Sequence, residues 1–234
     1  MTYNVGNGLA HPGPLADLLR RAAVDIVALQ ELAAPQAEVL ASELADIYPY
    51  QVLVPTGFPG KGLLSRYPVI GQEQLALYPE RPDLHVTVDI EKNPLNLLVA
   101  HPPPPRVMGA RLVFDPRAEF QLDALANLVL EHAPGVLLGD FNMTRRNAVY
   151  ARFVAAGLED AFAVAGSGRG WTLPMRLGHS ARLKHGLQRM RLRPVARVDY
   201  IWCTPGLHAQ AAWVGEDAGS DHLPVVARLE LQRA

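Results

Sequence analysis

One stretch, from Val136 to Asn142, constrains the fold more than any other because it joins a buried strand to two polar groups. Its first half, Val136 to Leu138, is a short apolar run typical of a strand covered on both faces. The run stops at Gly139, and Asp140 and Asn142 follow. Side chains two residues apart in an extended chain point to the same side, so we expect this carboxylate and amide to project together. The alternative is a turn of the Asx type, which Asp and Asn also favour.

Polar residues stand at the edges of several other short apolar runs. The runs 25–29, 95–100 and 198–202 each predict a strand, as does the β-prone segment 2–5. Polar residues in such positions meet at the rim of a sheet, so we expect them to share a cleft. They are Asn4, Glu31, His101, Asp140 with Asn142, Asp199, and Asp221 with His222 immediately before a last strand.

Each of these residues also has a local explanation when it is considered alone. Glu31 is explained as an exposed acid ahead of a helix, and His101 as a loop residue. Asp199 is explained as a cross-strand partner of Arg197, and Asp221 as a turn former. The regular recurrence of the pattern favours the shared cleft over four separate explanations.

The spacing of apolar residues predicts a mixture of short strands and a few helices. Helices are expected from Pro14, from near Pro35, from Pro116 behind an Asp115 cap, and over 148–156. Further strands are expected at 50–54, 63–65, 85–90, 208–214 and 225–231, with a loop over 57–62. The four prolines at 102–105 predict a stiff extended loop directly after His101.

Composition limits the class of protein. Hydrophobic residues make up 49% of the 234 residues, which is enough for a large core, and we predict one domain over 1–234 that acts as a monomer. The formal charge of −1 provides no general attraction to nucleic acid. A single cysteine, Cys203, excludes an internal disulfide framework and a cysteine-based zinc site.

The sequence contains no apolar run near the roughly 18 residues of a membrane span and nothing that resembles a signal peptide. It enters its first predicted strand almost at once. We therefore expect a domain cut from a longer product, such as one with an N-terminal membrane anchor.

The segment from Leu173 to Val198 departs from the balanced charge of the whole, with seven Arg or Lys and no acid. We expect it to pack loosely, with a short helix, as a flap beside the cleft that recruits a phosphate-bearing substrate or an anionic membrane surface. The alternative is a solvated surface insertion. The predicted substrate contacts are Arg106, Trp171, Arg182 and Lys184.

The order of motifs resembles the endonuclease/exonuclease/phosphatase superfamily, which has the deoxyribonuclease I-like fold. The matching motifs are Thr2-Tyr3-Asn4, Gln30-Glu31, Gly62 to Pro68, His101, Gly139 to Asn142, Arg197 to Ile201 and Ser220-Asp221-His222-Leu223-Pro224. The resemblance covers nearly the whole chain. It implies an α/β (α+β) four-layer sandwich, in which two packed, mainly antiparallel β-sheets are flanked by helices.

The resemblance also implies a divalent cation, Mg²⁺ or Mn²⁺. By resemblance, Glu31 is the principal metal ligand, assisted by Asn4 and Asp221. These side chains offer oxygen atoms, which such hard cations prefer. One departure is Gly6, because some family members carry an acid two residues after the first-motif Asn. This leaves fewer fixed metal ligands.

The catalytic residues implied by the resemblance are two histidines with their polar neighbours. His222, oriented by Asp199, resembles the general base that activates the attacking water. Asp140 and Asn142 resemble the pair that positions this water and binds the phosphoryl oxygens. His101 resembles the second histidine, which contacts the phosphate and serves the leaving group.

The leading functional hypothesis is therefore a metal-dependent phosphoesterase. Its substrate is nucleic acid, a phospholipid such as sphingomyelin, or a small phosphate ester, so nuclease, phosphodiesterase and phosphatase activities all stay open. The alternative from another class is a catalytically inactive binding module on the same fold. The sequence favours a serine hydrolase less than either of these, because no Gly-x-Ser-x-Gly elbow occurs.

Overall fold

Two six-stranded sheets pack face to face in the structure, a computed structural model that describes residues 1–109, 111–178 and 190–232. The first sheet contains β1 (Thr2–Asn4), β2 (Ile26–Gln30), β3 (Tyr50–Val54), β4 (Lys61–Ser65), β13 (Leu207–Val214) and β14 (Val225–Leu231). The second contains β5 (Val69–Leu75), β6 (Asp83–Ile90), β7 (Asn93–Ala100), β10 (Gly135–Asp140), β11 (Glu159–Asp160) and β12 (Asp199–Cys203). A separate hairpin is formed by β8 (Arg106–Met108) and β9 (Arg111–Val113).

Helices cover the outer faces of both sheets. They are α1 (Pro12–Ala22), α2 (Ala34–Glu43), α3 (Pro116–Glu131) and α4 (Ala148–Ala155), whereas the buried residues of the short α5 (Ala161–Ala165) join the layer between the sheets. Residues of α1 and α2 pack with the outward side chains of the first sheet, and those of α3 and α4 with the second. A third apolar layer fills the space between the sheets. The predicted four-layer sandwich is confirmed. None of the helices in the described part of the chain is long and apolar enough to cross a membrane.

Each sheet is antiparallel except for one central parallel pair. The strand orders are β13-β14-β1-β2-β4-β3 and β11-β12-β10-β7-β6-β5, and the parallel pairs are β1 with β2 and β7 with β10. Parallel neighbours end at the same edge of a sheet, and an antiparallel neighbour begins there. This arrangement brings the polar ends of β1, β2, β7 and β10 together with the starts of β12 and β14.

Several predicted boundaries were wrong. The first helix begins at Pro12 and not at Pro14, because the first turn needs no backbone N–H donor and accepts both prolines. Lys61 and Gly62 belong to β4 and not to a loop. The edge strand β5 was missed because most of its side chains are polar or exposed, which leaves no buried period-2 pattern. The β8–β9 hairpin was missed because its strands are only three residues long.

The two ends of the basic segment are described, and its centre is not. Leu173 forms a bridge with Ala196, and Arg176 with Arg191, so the ends run beside each other. The predicted short helix does not occur in 173–178 or 190–198. The rest of the segment, 179–189, lies outside the described residues. Arg182 and Lys184 also lie outside them.

Gly139 allows β10 to approach β7 where the polar residues emerge. It has φ +150°, and an added Cβ would lie 2.0 Å from the carbonyl oxygen of Ala100. We expect Gly139→Ala to lower the free energy of unfolding by about 3 kcal/mol or more, measured by denaturant unfolding.

Gly13→Ala is the matched control for this substitution. Gly13 lies in α1 with open space around its Cα. Alanine there is expected to stabilise by about 0.5–1 kcal/mol. Equal unfolding free energies for both variants would contradict the role given to Gly139.

Candidate active site

Polar side chains from six strand ends converge at one edge of the sandwich, where hydrogen bonds join the two sheets. Asn4 ends β1 and donates from Nδ2 to Oδ2 of Asp140, which ends β10, at 3.0 Å. These residues are 136 positions apart in the chain. The other members are Glu31 after β2, His101 after β7, Asp199 at the start of β12, and Asp221 with His222 before β14.

Two of the local explanations are wrong. The Glu31 side chain is only 17% exposed, so Glu31 is not an exposed acid. His101 does lie in the loop after β7, but its side chain is only 1% exposed. Asp199 does not pair with Arg197, whose guanidinium instead binds both oxygens of Asp160 at 2.9 and 2.6 Å.

A buried histidine–aspartate pair lies within this group. Nδ1 of His222 is 3.0 Å from Oδ2 of Asp199 and 3.3 Å from Oδ1. The backbone N–H of His222 also donates to Oγ of Ser220, which itself donates to the Asn4 carbonyl. Burial lowers the pKa of His222, but the carboxylates of Asp199, Asp140 and Asp221 outweigh burial and hold that pKa well above its ordinary value.

Asp140 occupies the centre of the group. Its Oδ2 lies 3.6 Å from Nε2 of His101 and 3.7 Å from Nε2 of His222, in addition to the Asn4 contact. Burial raises the pKa of Asp140 to about 6, and Asp199 adds to the increase while His222 opposes it. Asp140 therefore links both imidazoles through one carboxylate oxygen.

The chain from Asp140 to Asn142 is not extended, contrary to the prediction from the sequence, because β10 ends at Asp140. Asn142 has φ +51°, and its backbone N–H donates to Oδ1 of Asp140 at 2.8 Å. The Asx-type turn, offered as the alternative, is the one present. The Asn142 amide donates to the carbonyl of Pro102 at 3.0 Å, which ties the proline-rich loop to the group.

Glu31 combines backbone strain with an unfavourable electrostatic position. Its φ is +54°, which is uncommon for a residue with a side chain. Burial raises the pKa of Glu31 to about 7, with further increases from Asp221 and Asp140 that outweigh the opposing effect of His222. The positive charge near Glu31 is therefore too small to offset the effects of burial and of the two neighbouring carboxylates on its pKa.

The surroundings of His101 disfavour protonation of its imidazole. Burial, with the positive charges of Lys61 and Arg81, lowers its pKa well below the ordinary value. Arg81 lies 3.5 Å from Nδ1, and the Glu31 carboxylate lies 3.6 Å from Nε2. These charges favour the tautomer with its proton on Nε2, since a guanidinium cannot accept a hydrogen bond.

A buried ionic network behind His101 was missed by the sequence reasoning. The backbone N–H of His101 donates to Oδ1 of Asp83, and Gln121 donates to Oδ2 of Asp83 at 2.6 Å. Lys61 lies 3.9 Å from Asp83 and donates to the Pro82 carbonyl at 2.6 Å. In the sequence, Lys61 and Asp83 lie beside apolar runs, and nothing in that pattern indicates that both side chains are buried.

Two sets of side chains could hold a cation. The predicted set is Glu31, Asn4 and Asp221. Within residues 1–109, 111–178 and 190–232, one group has ligand atoms within 4.8 Å of one another, namely Asp140, Asp199 and His222. In that group Asp199 and His222 already satisfy each other. The under-neutralised Glu31 carboxyl fits a cation better, because a positive charge there would relieve its repulsion by Asp221 and Asp140.

Gly6 has a structural reason to replace the acid found in some relatives. Its backbone N–H donates to Oδ1 of Asn4 at 3.0 Å, and its φ is +66°. A Cβ at Gly6 would lie 3.0 Å from side-chain atoms of Leu9 and Ser220. This turn holds Asn4 and has little room for a side chain.

Two of the predicted substrate contacts, Arg106 and Trp171, lie in the described part of the chain, and neither forms a hydrogen bond or ion pair with the strand-end residues. Arg106 is exposed on β8. Trp171 is 37% exposed, with the Arg169 guanidinium 4.7 Å above its ring. It lines a surface depression of about 470 Å³ with Arg169, Arg193 and Trp213, and none of the strand-end residues lines this depression.

The comparisons with known proteins agree with the fold. A structure described as an endonuclease/exonuclease/phosphatase from Beutenbergia cavernae is 23% identical, with a TM-score of 0.75 over 98% of this chain and 70% of that one. TDP2 of D. rerio, solved with a single-stranded DNA product, is 18% identical with a TM-score of 0.71, over 98% and 97% of the chains. Sphingomyelinase C from Streptomyces griseocarneus is 20% identical with a TM-score of 0.67, over 97% of both chains.

Sequence comparison gives the family directly. A search of curated proteins found no significant match. The model of the Endonuclease/Exonuclease/phosphatase family matches residues 1–222, nearly the whole chain. The predicted membership is confirmed: this chain belongs to the endonuclease/exonuclease/phosphatase family.

Proposed function

We propose that this protein is a divalent-metal-dependent phosphoesterase that hydrolyses its substrate by in-line attack of a base-activated water. The observation that carries the proposal is the buried pair of His222 and Asp199, 3.0 Å apart, whose second ring nitrogen faces Asp140. Membership of a family of phosphoester hydrolases supports the same reaction class.

The His222–Asp199 pair acts as the general base. Asp199 accepts the Nδ1–H bond and so leaves Nε2 to take a proton from the water. His222 must be neutral to do this, although the surrounding carboxylates hold its pKa high. Neutralising those carboxylates lowers the pKa of His222 toward the range of a working base.

Asp140, Asn142 and His101 position the reacting groups. Asp140 is held by Asn4 and by the Asn142 backbone, and from there it orients the attacking water. The Asn142 side chain binds a phosphoryl oxygen while it keeps its bond to Pro102. Neutral His101 donates from Nε2 to the phosphate or to the leaving oxygen.

Glu31 would hold the cation, with Asp221 and the Oδ1 atom of Asn4. When bound, a divalent cation supplies Lewis-acid stabilisation of the charge that develops on the phosphoryl oxygens. Mg²⁺ or Mn²⁺ suits a donor set made only of oxygens.

Gly178 gives a test of the role of Asp221. It has φ +65°, and an added Cβ would lie 2.2 Å from Oδ2 of Asp221. Gly178→Ala is expected to displace this carboxylate and lower kcat/KM roughly 10–100-fold, as small misplacements of reacting groups do.

Gly168→Ala controls for the backbone strain in this test. Gly168 has φ +80° with nothing within 4 Å of an added Cβ. It should lose about 1–2 kcal/mol of stability without losing activity. Equal kcat/KM values for Gly178→Ala and Gly168→Ala would show that Asp221 has no role in the site.

The substrate is a nucleic acid, a phospholipid or a small phosphate ester. Two proteins that share the fold support the first two classes. The TDP2 structure contains a single-stranded DNA product, and sphingomyelinase C is named for a phospholipid. Arg106 and Trp171, with Arg182 and Lys184 outside the described residues, are proposed to contact the part of the substrate beyond the scissile phosphate, or an anionic membrane surface. Because the net charge of the chain is −1, any electrostatic attraction to such a substrate or surface must come from local positive groups.

A substrate panel tests the proposal. Plasmid DNA, sphingomyelin, inositol phosphates, prenyl pyrophosphate and bis-p-nitrophenyl phosphate are incubated with Mg²⁺ or Mn²⁺, with and without EDTA. We expect cation-dependent hydrolysis of the small diester and of one natural class. No hydrolysis of any substrate would favour the inactive binding module.

A further inference from the structure

The loop over 215–224 carries Asp221 and His222 into the candidate active site. This range, which the structure describes in full, contains no helix or strand, so individual hydrogen bonds must hold these two residues in place. One such bond ties the loop to β1, because Oγ of Ser220 donates to the Asn4 carbonyl at 2.7 Å. The loop is thus fixed to the first sheet on one side.

On its other side the same loop is bonded to the start of the basic segment and the residue before it. The Met175 N–H donates to the Asp221 carbonyl at 2.6 Å, and the Leu223 N–H donates to the Thr172 carbonyl at 3.0 Å. The Asp221 carbonyl and the Leu223 N–H lie on either side of His222 in the chain. The start of the basic segment therefore lies along the backbone that carries His222.

Arg176 completes this contact with three hydrogen bonds. Its Nη1 donates to Oδ1 of Asp217 at 2.8 Å and to the Ser220 carbonyl at 2.6 Å, and its Nη2 donates to Oδ2 of Asp217 at 2.7 Å. The Arg176 and Asp217 side chains are 12% and 17% exposed, so water has little access to the pair. Burial raises the pKa of Asp217, but the bonds from Arg176 and from the Gly219 N–H outweigh burial and hold that pKa below its ordinary value. Asp217 is therefore a carboxylate at neutral pH, and the pair is ionic.

The far end of the basic segment reaches the same carboxylate. Arg191 lies opposite Arg176 in an isolated bridge, and its guanidinium is 3.8 Å from Oδ2 of Asp217. Asp217 thus offsets the repulsion between two neighbouring guanidinium groups. Both described ends of the basic segment are consequently held just ahead of Asp221 in the chain.

We propose that Arg176 is a positioning residue for Asp221 and His222, acting through its ion pair with Asp217 and its bond to the Ser220 carbonyl. This role rests on the proposed function, in which Asp221 helps to bind the cation and His222 is the general base. The Ser220 carbonyl immediately precedes Asp221, so a displacement of this carbonyl moves both side chains. Arginine suits the position because its planar guanidinium presents several donors in fixed directions, whereas a lysine ammonium keeps the charge without that geometry.

Arg176→Lys tests the role, and Arg20→Lys is its matched control. Arg20 also donates to both oxygens of one carboxylate, Asp46, and to one backbone carbonyl, that of Glu43. It joins α1 to the turn after α2 and, within the described chain, forms no hydrogen bond or ion pair with the strand-end residues. The control therefore removes the same kind of arginine pairing at a distance from the loop.

We expect Arg176→Lys to impair both groups that the loop carries. The Mg²⁺ or Mn²⁺ concentration that half-saturates the thermal stabilisation should rise roughly 10-fold, and kcat on bis-p-nitrophenyl phosphate should fall roughly 10–100-fold while KM stays within about 2-fold. In the cation-free protein, amide hydrogen exchange over 218–223 should accelerate about 10-fold. Arg20→Lys should leave all of these quantities at their wild-type values.

Asp217→Asn breaks the same pair from the other side. The side-chain oxygen of asparagine can still accept the Gly219 N–H, which Oδ1 of Asp217 accepts at 2.8 Å. This variant should show the same decrease in kcat as Arg176→Lys. The double variant should lose little more than either single variant, because the two side chains act as one unit.

Wild-type kcat and cation affinity in Arg176→Lys would refute the role, even with a lower unfolding midpoint, because the ion pair would then serve stability alone. Equal losses in Arg20→Lys would also refute it, since they would assign the effect to general destabilisation. Wild-type protein that shows neither cation-induced stabilisation nor hydrolysis would instead overturn the proposed function, and the role of Arg176 with it.

Discussion

His222→Ala and Asp199→Asn should each lower kcat by roughly 10³–10⁴-fold, and the double variant should lose little more than either. The two side chains act as one unit, because Asp199 holds Nδ1 of His222 at 3.0 Å in a buried position. Steady-state kinetics on the small diester with saturating Mg²⁺ measures this. Asp199→Asn should also lower the pKa of His222, since the Asp199 carboxylate raises it.

Asp160→Asn is the matched control for the loss of a buried carboxylate. Asp160 lies on β11, next to β12, and pairs with Arg197 instead of a histidine. We expect it to lose stability, about 3–5 kcal/mol for a broken buried ion pair, and to keep its kcat. Effects of His222→Ala and Asp199→Asn that multiply independently would show that Asp199 does not orient His222.

Glu31→Gln should reduce turnover at least ~100-fold and abolish the thermal stabilisation that Mg²⁺ or Mn²⁺ produces. In the cation-free protein the same change should be stabilising. The folded pKa of about 7 lies above the ordinary 4.5, so ionisation of Glu31 costs stability progressively as the pH rises from 4.5 to 7, and the full cost persists above pH 7. Its size is of the order of 3 kcal/mol, and glutamine removes it.

Thermal unfolding of two variants with and without cation distinguishes the two candidate ligand sets. If Glu31 holds the metal, Glu31→Gln loses the cation-induced shift and Asp199→Asn retains it. The reverse result would assign the ion to Asp140, Asp199 and His222. Full activity of Glu31→Gln in EDTA would refute metal dependence.

The sequence by itself determined the local features that lead to the site. Asp115 caps α3 by accepting the Arg117 backbone N–H at 2.9 Å, as expected from the pairing of Asp115 with Pro116. Capping and apolar periodicity act over a few residues, so they can be read without knowing the fold. The same holds for the apolar strands that end at, or directly before, Asn4, Glu31, His101 and Asp140, which is why these polar residues could be named from the sequence.

Features that depend on distant partners could not be read in this way. The sequence analysis singled out neither Asp83 nor Arg81, because only the packing of the sheets places them against His101. The backbone at Asn142 was mispredicted as extended, because a left-handed turn forms there and the Pro102 carbonyl accepts the Asn142 amide.

Tertiary structure also decided which charges pair. Whether Asp199 binds Arg197 or His222 depends on β11, which places Asp160 beside the guanidinium and leaves Asp199 to the imidazole. Side-chain identity sets what each residue can bond to, and the order of strands in the sheets selects the partner.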